Sequence, residues 1–254
     1  MKWVETFILA VQLLTRFPIK KEVAVKDETL TDGVIFWPVI GLITGAIQVA
    51  VYVLLEQLMP RPAAVVFTVL VQLLINGGFH LDGLCDTADG LFSARTRERM
   101  LEIMKDSRIG TNGVIAAVFD ILLKIVLLNQ LVHPMIPILL MPVAGKMIQG
   151  ILIYQAIYAR RDGLGHAYIG KIDFRTLIIS TAVGVVITGA TLAFSGSLWL
   201  ILIPFICLAA AFGFRRYIES RLGGMTGDTL GAGSEVTEIL FLVLINIADT
   251  FMLI

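Results

Sequence analysis

The sequence predicts an all-α, polytopic membrane protein: a helical bundle of about seven spans, preceded by an N-terminal interfacial or re-entrant helix. Of its 254 residues, 57% are hydrophobic and only 16% are charged, and the mean hydropathy is +0.87. A soluble domain of this size is typically about half apolar and about a quarter charged. The apolar excess indicates immersion in a lipid bilayer, and we expect one membrane-embedded domain over residues 1–254.

Seven apolar runs each have a length near the roughly 17–25 residues that a helical span needs. They cover residues 34–58, 63–81, 113–131, 135–158, 176–194, 198–214 and 236–254, and the sixth is the shortest. Before them, the N-terminal apolar stretch is interrupted by Glu5 and ends at Pro18 without a small-residue cleavage site. We therefore expect an uncleaved helix here rather than a signal peptide.

Basic residues are concentrated in every second connection between the predicted spans. Of the 20 Lys and Arg residues, 17 lie in residues 1–33, 82–112, 159–175 and 215–235, whereas the opposite connections hold only Arg61. Because basic residues favour the cytoplasmic side of a membrane, these four stretches are predicted to face the cytoplasm. The polar active-site loops are expected on that face.

The net charge and the cysteines argue against a nucleic-acid-binding protein and against a disulfide-stabilised one. The net charge is zero, so the sequence gives no sign of a nucleic-acid partner. Cys85 and Cys207 lie far apart, and we interpret them as free thiols. Asp120 and Lys124, at i and i+4 within a span, are predicted to pair because unpaired charges are costly in lipid.

The stretch HLDGLCDTADG, residues 80–90, places three acids directly after an apolar run. On a helix, Asp82, Asp86 and Asp89 fall within a sector of about 60°. Three carboxylates on one stripe repel one another unless a cation lies among them, and hard oxygen ligands favour Mg²⁺ or Mn²⁺. The stripe is therefore a candidate metal and catalytic site, with a solvated acidic helix face as the alternative. His80 joins the catalytic candidates, although a histidine at a membrane boundary is more often an interfacial hydrogen bonder.

The stretch KDSRIGTNG, residues 105–113, supplies substrate-binding candidates in Lys105, Asp106, Ser107 and Arg108. This stretch combines cationic side chains with a glycine-containing turn that exposes backbone N–H groups and leads into the next span. Such a turn is a natural phosphate site. Phosphoryl transfer needs a metal and cationic clamps, so the neighbouring aspartates strengthen this interpretation.

Two further polar stretches carry candidates. RRYIESRLGGMTGDTLGAGSE, residues 215–235, is predicted to be a glycine-rich loop that returns to the site through Arg221, Thr226 and Asp228, with a plain linker as the alternative. In RRDGLGHAYIGKIDFRT, residues 160–176, the two arginines are explained as cytoplasmic anchors, and Lys171 and Asp173 are the better candidates for substrate contact.

The segment GGFHLDGLCDTADGLFSARTRERMLEIMKDSRIGTNGV, residues 77–114, closely resembles the signature block of the cobalamin synthase family, also called adenosylcobinamide-GDP ribazoletransferases. Further blocks match in the family's order and extend the resemblance over nearly the whole chain. They are LLTRFPI (13–19), FWPVIGLITGA (36–46), GLGHAYIGKID (163–173) and LGGMTGDTLGA (222–232). Cys85 and residues 233–235 depart from the family's pattern, but none of them is a proposed ligand.

The resemblance implies an inner-membrane enzyme that condenses adenosylcobinamide-GDP with α-ribazole, or its 5′-phosphate, and releases GMP. Mg²⁺ is the implied cofactor, held by Asp82, Asp86 and Asp89 unless one of them accepts the alcohol proton, while Lys105 and Arg108 bind phosphate. The active site would face the cytoplasm. A CDP-alcohol phosphotransferase and, in another class, a cation-coupled transporter are the alternatives. Homo-oligomerisation and association with other cobalamin-assembly enzymes stay open.

Overall fold

The structure, a computed structural model, describes residues 2–194 and 198–251. Twelve α-helices account for most of this part of the chain. They are α1 (Lys2–Leu14), α2 (Asp27–Gly33), α3 (Trp37–Glu56), α4 (Arg61–Asn76), α5 (Phe79–Leu91), α6 (Arg97–Ile103), α7 (Thr111–Gln130), α8 (Met135–Met147), α9 (Gln149–Ile153), α10 (Phe174–Phe194), α11 (Leu202–Leu222) and α12 (Gly227–Thr250).

The predicted helical membrane architecture is confirmed. Over the described ranges, six helical stretches are long and apolar enough to cross a membrane, and α4 with α5 counts as a seventh if a bent span is allowed. The N-terminal α1 is a helix of 13 residues, as expected. Its position at the membrane surface stays a prediction.

Several predicted span boundaries are wrong. The run 135–158 stops being helical at Ile153, because Tyr154 is extended and Gln155 has a φ of 51°. The sixth span continues to Leu222, and the last begins at Gly227, well before the expected residue 236. Residues 252–254 of that predicted span lie outside the described residues.

The predicted span 63–81 is not one straight helix. α4 ends at Asn76, Gly77 and Gly78 have φ values of 64° and 70°, and α5 departs at an angle of 89°. Glycine adopts this left-handed backbone without steric cost, so the Gly-Gly pair permits the bend. With 16 residues, α4 is about 24 Å long, shorter than a typical hydrocarbon core. The bend therefore turns the aspartate-bearing α5 away from the direction of the span.

The stretch Met135–Ile153 forms the centre of the bundle, and most of it is buried. Helices α3, α10 and α12 pack against α8. All ten residues from Met141 to Gly150 are buried, including Lys146 and Gln149. The middle of the protein therefore contains polar groups that must find partners within the bundle.

A buried ionic cluster joins α4, α7 and α12. Lys124 Nζ lies 3.1 Å from Asp120 Oδ2 and 3.0 Å from Glu238 Oε2, and it also bonds directly to Glu235. Gln72 Nε2 donates to Glu238 Oε2 at 2.6 Å. The predicted pairing of Asp120 with Lys124 is confirmed, and the structure adds two glutamates that sequence spacing did not connect to it.

Replacing Lys124 by methionine is expected to destabilise the protein by about 3–5 kcal/mol, because three buried carboxylates lose their shared cation. Arg99→Met is the matched control. Its ion pair with Glu102 is exposed, so its removal should cost less than about 1 kcal/mol. Thermal unfolding of the purified protein in detergent measures both changes, and equal stability of the two variants would contradict a bracing role for Lys124.

The predicted orientation can be tested with introduced cysteines, because both native cysteines are buried. Glu98 on α6 and Gln57 after α3 are exposed. A membrane-impermeant thiol reagent should label Gln57→Cys in intact cells, and Glu98→Cys only after the membrane is opened. The opposite pattern would reverse the topology.

Candidate active site

The side chains of α5 divide into an acidic side and a buried side. Asp82 is exposed and Asp86 and Asp89 are partly exposed, whereas His80 and Cys85 are buried. The helical stripe that the aspartate spacing predicted is therefore present. Within the described ranges, the side chains of Asp82 and Asp86 form no hydrogen bond or ion pair. These two carboxylates are available to a ligand.

Asp89 is already engaged by the protein backbone. Its Oδ2 accepts a hydrogen bond from Gly110 N at 2.7 Å, and its Oδ1 accepts one from Gly113 N at 2.8 Å. Both donors lie at the start of α7, where backbone N–H groups have no partner inside the helix. The turn that was expected to bind phosphate through these N–H groups binds the carboxylate of Asp89 instead.

The loop before α7 lies at the edge of the stripe. Arg108 grips Asp106 with two hydrogen bonds, Nε to Oδ1 at 3.0 Å and Nη2 to Oδ2 at 2.7 Å. These bonds lower the pKa of the Asp106 carboxyl to about 2, so it stays ionised at neutral pH. Asp106, Arg108 and Asp89 line one cavity of about 140 Å³. Lys105 and Ser107 are exposed on the same loop.

Arg160 reaches the same region from a distant part of the chain. Ala159 N donates to Met225 O at 2.9 Å, and Met225 N donates to Ile157 O at 2.8 Å, which makes a short parallel bridge. The bridge places Arg160 beside the first turn of α12. There its Nη2 lies 2.5 Å from Asp228 Oδ2, and both side chains are largely buried.

Helices α5 and α12 are close enough for Asp228 to join the stripe. A Cβ atom on Gly83 would lie 2.7 Å from the backbone oxygen of Asp228, so only glycine fits at this contact. Asp86 interacts electrostatically with Asp228, Asp82 and Arg160. We call Asp82, Asp86, Asp228 and Arg160 the acid cluster. Its carboxylates outnumber its one guanidinium, which favours binding of a further cation.

The acid cluster is not a complete metal site by itself. Among residues 2–194 and 198–251, no three histidine, cysteine or carboxylate side chains are gathered closely enough to hold a metal ion alone. Asp89 is turned to the start of α7, and the expectation that Asp82, Asp86 and Asp89 form one ligand set stays a prediction. Roles for Asp82 and Asp86 as ligands stay predictions.

Known proteins resemble this chain over nearly its whole length. A family model described as CobS, cobalamin-5-phosphate synthase, matches residues 6–246. The chain belongs to this family. An adenosylcobinamide-GDP ribazoletransferase of Clostridium novyi (strain NT) is 41% identical over 246 residues, which cover 94% of this chain and 95% of the relative. Relatives of the same name are 37% identical in Klebsiella pneumoniae subsp. pneumoniae, covering 94% of this chain and 98% of the relative, and 39% identical in Escherichia coli O45:K1, covering 93% and 97%.

No solved structure matches the chain. The cobalamin-5-phosphate synthase family is therefore established by sequence, and the geometry of the acid cluster comes from this structure. The resemblance first seen in residues 77–114 is confirmed by the family match.

His80 of this family member lies away from the aspartates. A residue two positions before Asp82 is about 200° around a helix from it, and His80 is accordingly buried on the other side of α5. Its Nδ1 lies 3.5 Å from Lys146 Nζ. His80 therefore lies off the aspartate stripe, and a catalytic role for it stays a prediction.

The predicted glycine-rich loop 215–235 is almost entirely helical, and only residues 223–226 connect α11 to α12. Thr226 Oγ1 accepts a hydrogen bond from Thr229 N at 3.2 Å, while Thr226 N donates to Thr229 Oγ1 at 2.8 Å. This capping box uses the hydroxyl of Thr226 to start α12, and a role for Thr226 in substrate binding stays a prediction. Arg221 is exposed on the last turn of α11.

Lys171 belongs to a different part of the structure. Its Nζ lies 3.4 Å from His166 Nδ1, and it lines a cavity of about 220 Å³ together with Lys2, Asp32 and Asp173. The acid cluster does not line this cavity. The structure thus brings Asp228 to the aspartate stripe and leaves Lys171 elsewhere.

Asp89→Ala is expected to lower stability by about 1.5–3 kcal/mol, because the N–H groups of Gly110 and Gly113 lose a charged acceptor. Asp82→Ala is a matched control on the same helix, since its side chain has no such bond, and it should change stability by less than about 0.5 kcal/mol. Thermal unfolding in detergent distinguishes them. Comparable losses in both variants would argue against an anchoring role for Asp89.

Proposed function

We propose that this chain is an adenosylcobinamide-GDP ribazoletransferase, which joins adenosylcobinamide-GDP to α-ribazole, or to its 5′-phosphate, and releases GMP. The observation that carries this proposal is the match to relatives of that name, at 37–41% identity over more than nine-tenths of the chain. The acid cluster supplies the chemical groups that such a phosphoryl transfer requires.

The reaction makes one P–O bond and breaks another. An alcohol oxygen of the ribazole ribose attacks the cobinamide-side phosphorus of the pyrophosphate, and GMP leaves with the electron pair of the broken bond. The alcohol proton passes to a carboxylate. Asp82 and Asp86 are suited to this task because their side chains form no hydrogen bond or ion pair within the described ranges.

The residues of the acid cluster fit Mg²⁺. In phosphoryl-transfer sites this ion is commonly held by one or two carboxylates together with substrate phosphates and water. Asp82 and Asp86 match that donor set, so they would hold the ion, with Asp228 close by. When bound, Mg²⁺ supplies positive charge that neutralises the phosphate oxygens during transfer.

Three cationic side chains are the proposed contacts of the pyrophosphate. Arg160 lies within the acid cluster and has a planar guanidinium that suits phosphate oxygens. Arg108 is held by Asp106 and has to exchange that partner for phosphate, whereas the side chain of Lys105 is exposed. Arg160 therefore replaces Lys171 in the proposed set of substrate contacts.

The proposed location is the inner membrane, with the acid cluster facing the cytoplasm. The support for this orientation is the concentration of basic residues in the connections on that side. The bend between α4 and α5 supports a place for the acid cluster at the membrane edge, because it lets the acidic α5 avoid a full crossing of the hydrocarbon core.

Asp82→Asn and Asp86→Asn are expected to abolish GMP release while the protein still inserts and accumulates. Each change keeps the size of the side chain and removes a charge needed for the metal. The measurement is GMP release from adenosylcobinamide-GDP and α-ribazole as a function of Mg²⁺ concentration, for wild type and both variants.

Two results would count against the proposal. Near-normal turnover of either variant, with unchanged Mg²⁺ dependence, would remove that aspartate from the site. A CDP-alcohol donor serves as the control substrate, and product formation from it in place of adenosylcobinamide-GDP would favour the lipid-synthesising alternative.

A further inference from the structure

A crevice lies beside the acid cluster and shares the first turn of α12 with it. Gly227, Leu230 and Gly231 of α12 line the crevice, while Asp228, the residue after Gly227, faces Arg160 and the acid cluster. A molecule seated in the crevice would therefore end next to the proposed reacting groups. The mechanism proposed above gives this crevice no role.

The walls of the crevice are largely aromatic and aliphatic. Trp37 and Tyr168 meet edge to face with ring centroids 5.4 Å apart. The ring centroids of Phe79 and His80 are 5.6 Å apart. Leu164, which is 67% exposed, lies at the rim and leaves the crevice open to the outside. Such walls suit a flat, mainly apolar ring.

Lys146 is the polar group that points to a ligand. It lines the crevice and is only 3% exposed. In the part of the chain that the structure describes, its ammonium has two contacts, His80 Nδ1 and Ser234 Oγ, and both are at 3.5 Å. An ammonium has three donors, and a buried cation without close acceptors is unfavourable. Glu238 and Glu235 interact with this ammonium only electrostatically, so Lys146 keeps donor capacity for a ligand in the crevice that it lines.

The chemistry of the possible occupants narrows the choice to one. Guanine can accept from Lys146 through O6 or N7, but its N–H edge also needs acceptors, and among the described residues no aspartate or glutamate lines the crevice to supply them. A lipid acyl chain is apolar but offers no acceptor to Lys146. A benzimidazole ring is flat and apolar, and it has one ring nitrogen with a free lone pair.

We propose that this crevice binds the benzimidazole base of α-ribazole, with Lys146 Nζ donating a hydrogen bond to the unsubstituted ring nitrogen. The inference rests on the proposed function, because it assigns the acceptor substrate of that reaction. Seated there, the base directs its ribose past Gly227 toward the acid cluster. Lys146 thereby selects bases that present an acceptor nitrogen at this position.

The first test compares two probes on the full-length protein in detergent. 5,6-Dimethylbenzimidazole and 5,6-dimethylindole have nearly the same shape, but the indole has a C–H group where the benzimidazole has its acceptor nitrogen. Calorimetric titration should show the benzimidazole binding about tenfold or more tightly, as expected for a buried hydrogen bond to a charged donor. Equal affinities, or no binding of either probe, would overturn the proposal.

The second test uses Lys146→Met, which keeps the length of the side chain and removes the donor. The KM for α-ribazole should rise about tenfold or more, the KM for adenosylcobinamide-GDP should stay unchanged, and the preference for benzimidazole over indole should disappear. Lys20→Met, at an exposed lysine, is the control. A rise only in the KM for the GDP-activated substrate would overturn the proposal by placing that substrate in the crevice.

The two proposals fail in different ways. If the proposed function is wrong, wild-type protein will release no GMP from the two substrates. If only this inference is wrong, GMP release will continue while the two probes bind equally. Should Lys146→Met fail to accumulate, the comparison of probes on the wild-type protein decides the matter alone.

Discussion

The requirement that charges inside a bilayer be paired determines how the helices of this protein are aligned. Lys124 on α7 binds Glu235 and Glu238 on α12 as well as Asp120 on its own helix. A shift of α12 by one residue would leave buried carboxylates without their cation, at a cost of several kcal/mol. Asp228 lies two turns before Glu235 on the same helix. The ionic cluster therefore sets the height of Asp228, and with it the position of the acid cluster.

Two local features then complete the site from either side of α12. On one side, Gly83 lets α5 approach closely enough for Asp86 and Asp228 to interact. On the other side, the short bridge through Met225 brings Arg160 to the same turn. The acid cluster is thus built from three separated segments of the chain, and the fold supplies each one by a different contact.

Properties that depend on neighbouring residues could be predicted from the sequence. Hydropathy gave the membrane class, and the spacing of Asp82, Asp86 and Asp89 gave a helical stripe, because both follow from residues close in the chain. The glycines of residues 227–233 suggested a loop, yet tertiary packing overrides their low helix propensity and α12 begins there. The angular position of His80 could have been worked out from its spacing to Asp82. The role of Arg160 could not, because it depends on the bridge between Tyr158 and Met225, which are 67 positions apart.

The contact at Gly83 also affects how this enzyme can change through mutation. Any other residue there adds at least one carbon atom, which would meet the backbone oxygen of Asp228 at 2.7 Å, inside normal van der Waals contact. Such a variant loses helix packing and site geometry in a single step, so selection has no gradual route through this position. Leu13 and Leu164, which line the crevice from other segments, carry no such double penalty. Directed evolution toward new substrates therefore has room at the rim of the crevice, while the glycine between α5 and α12 has to stay.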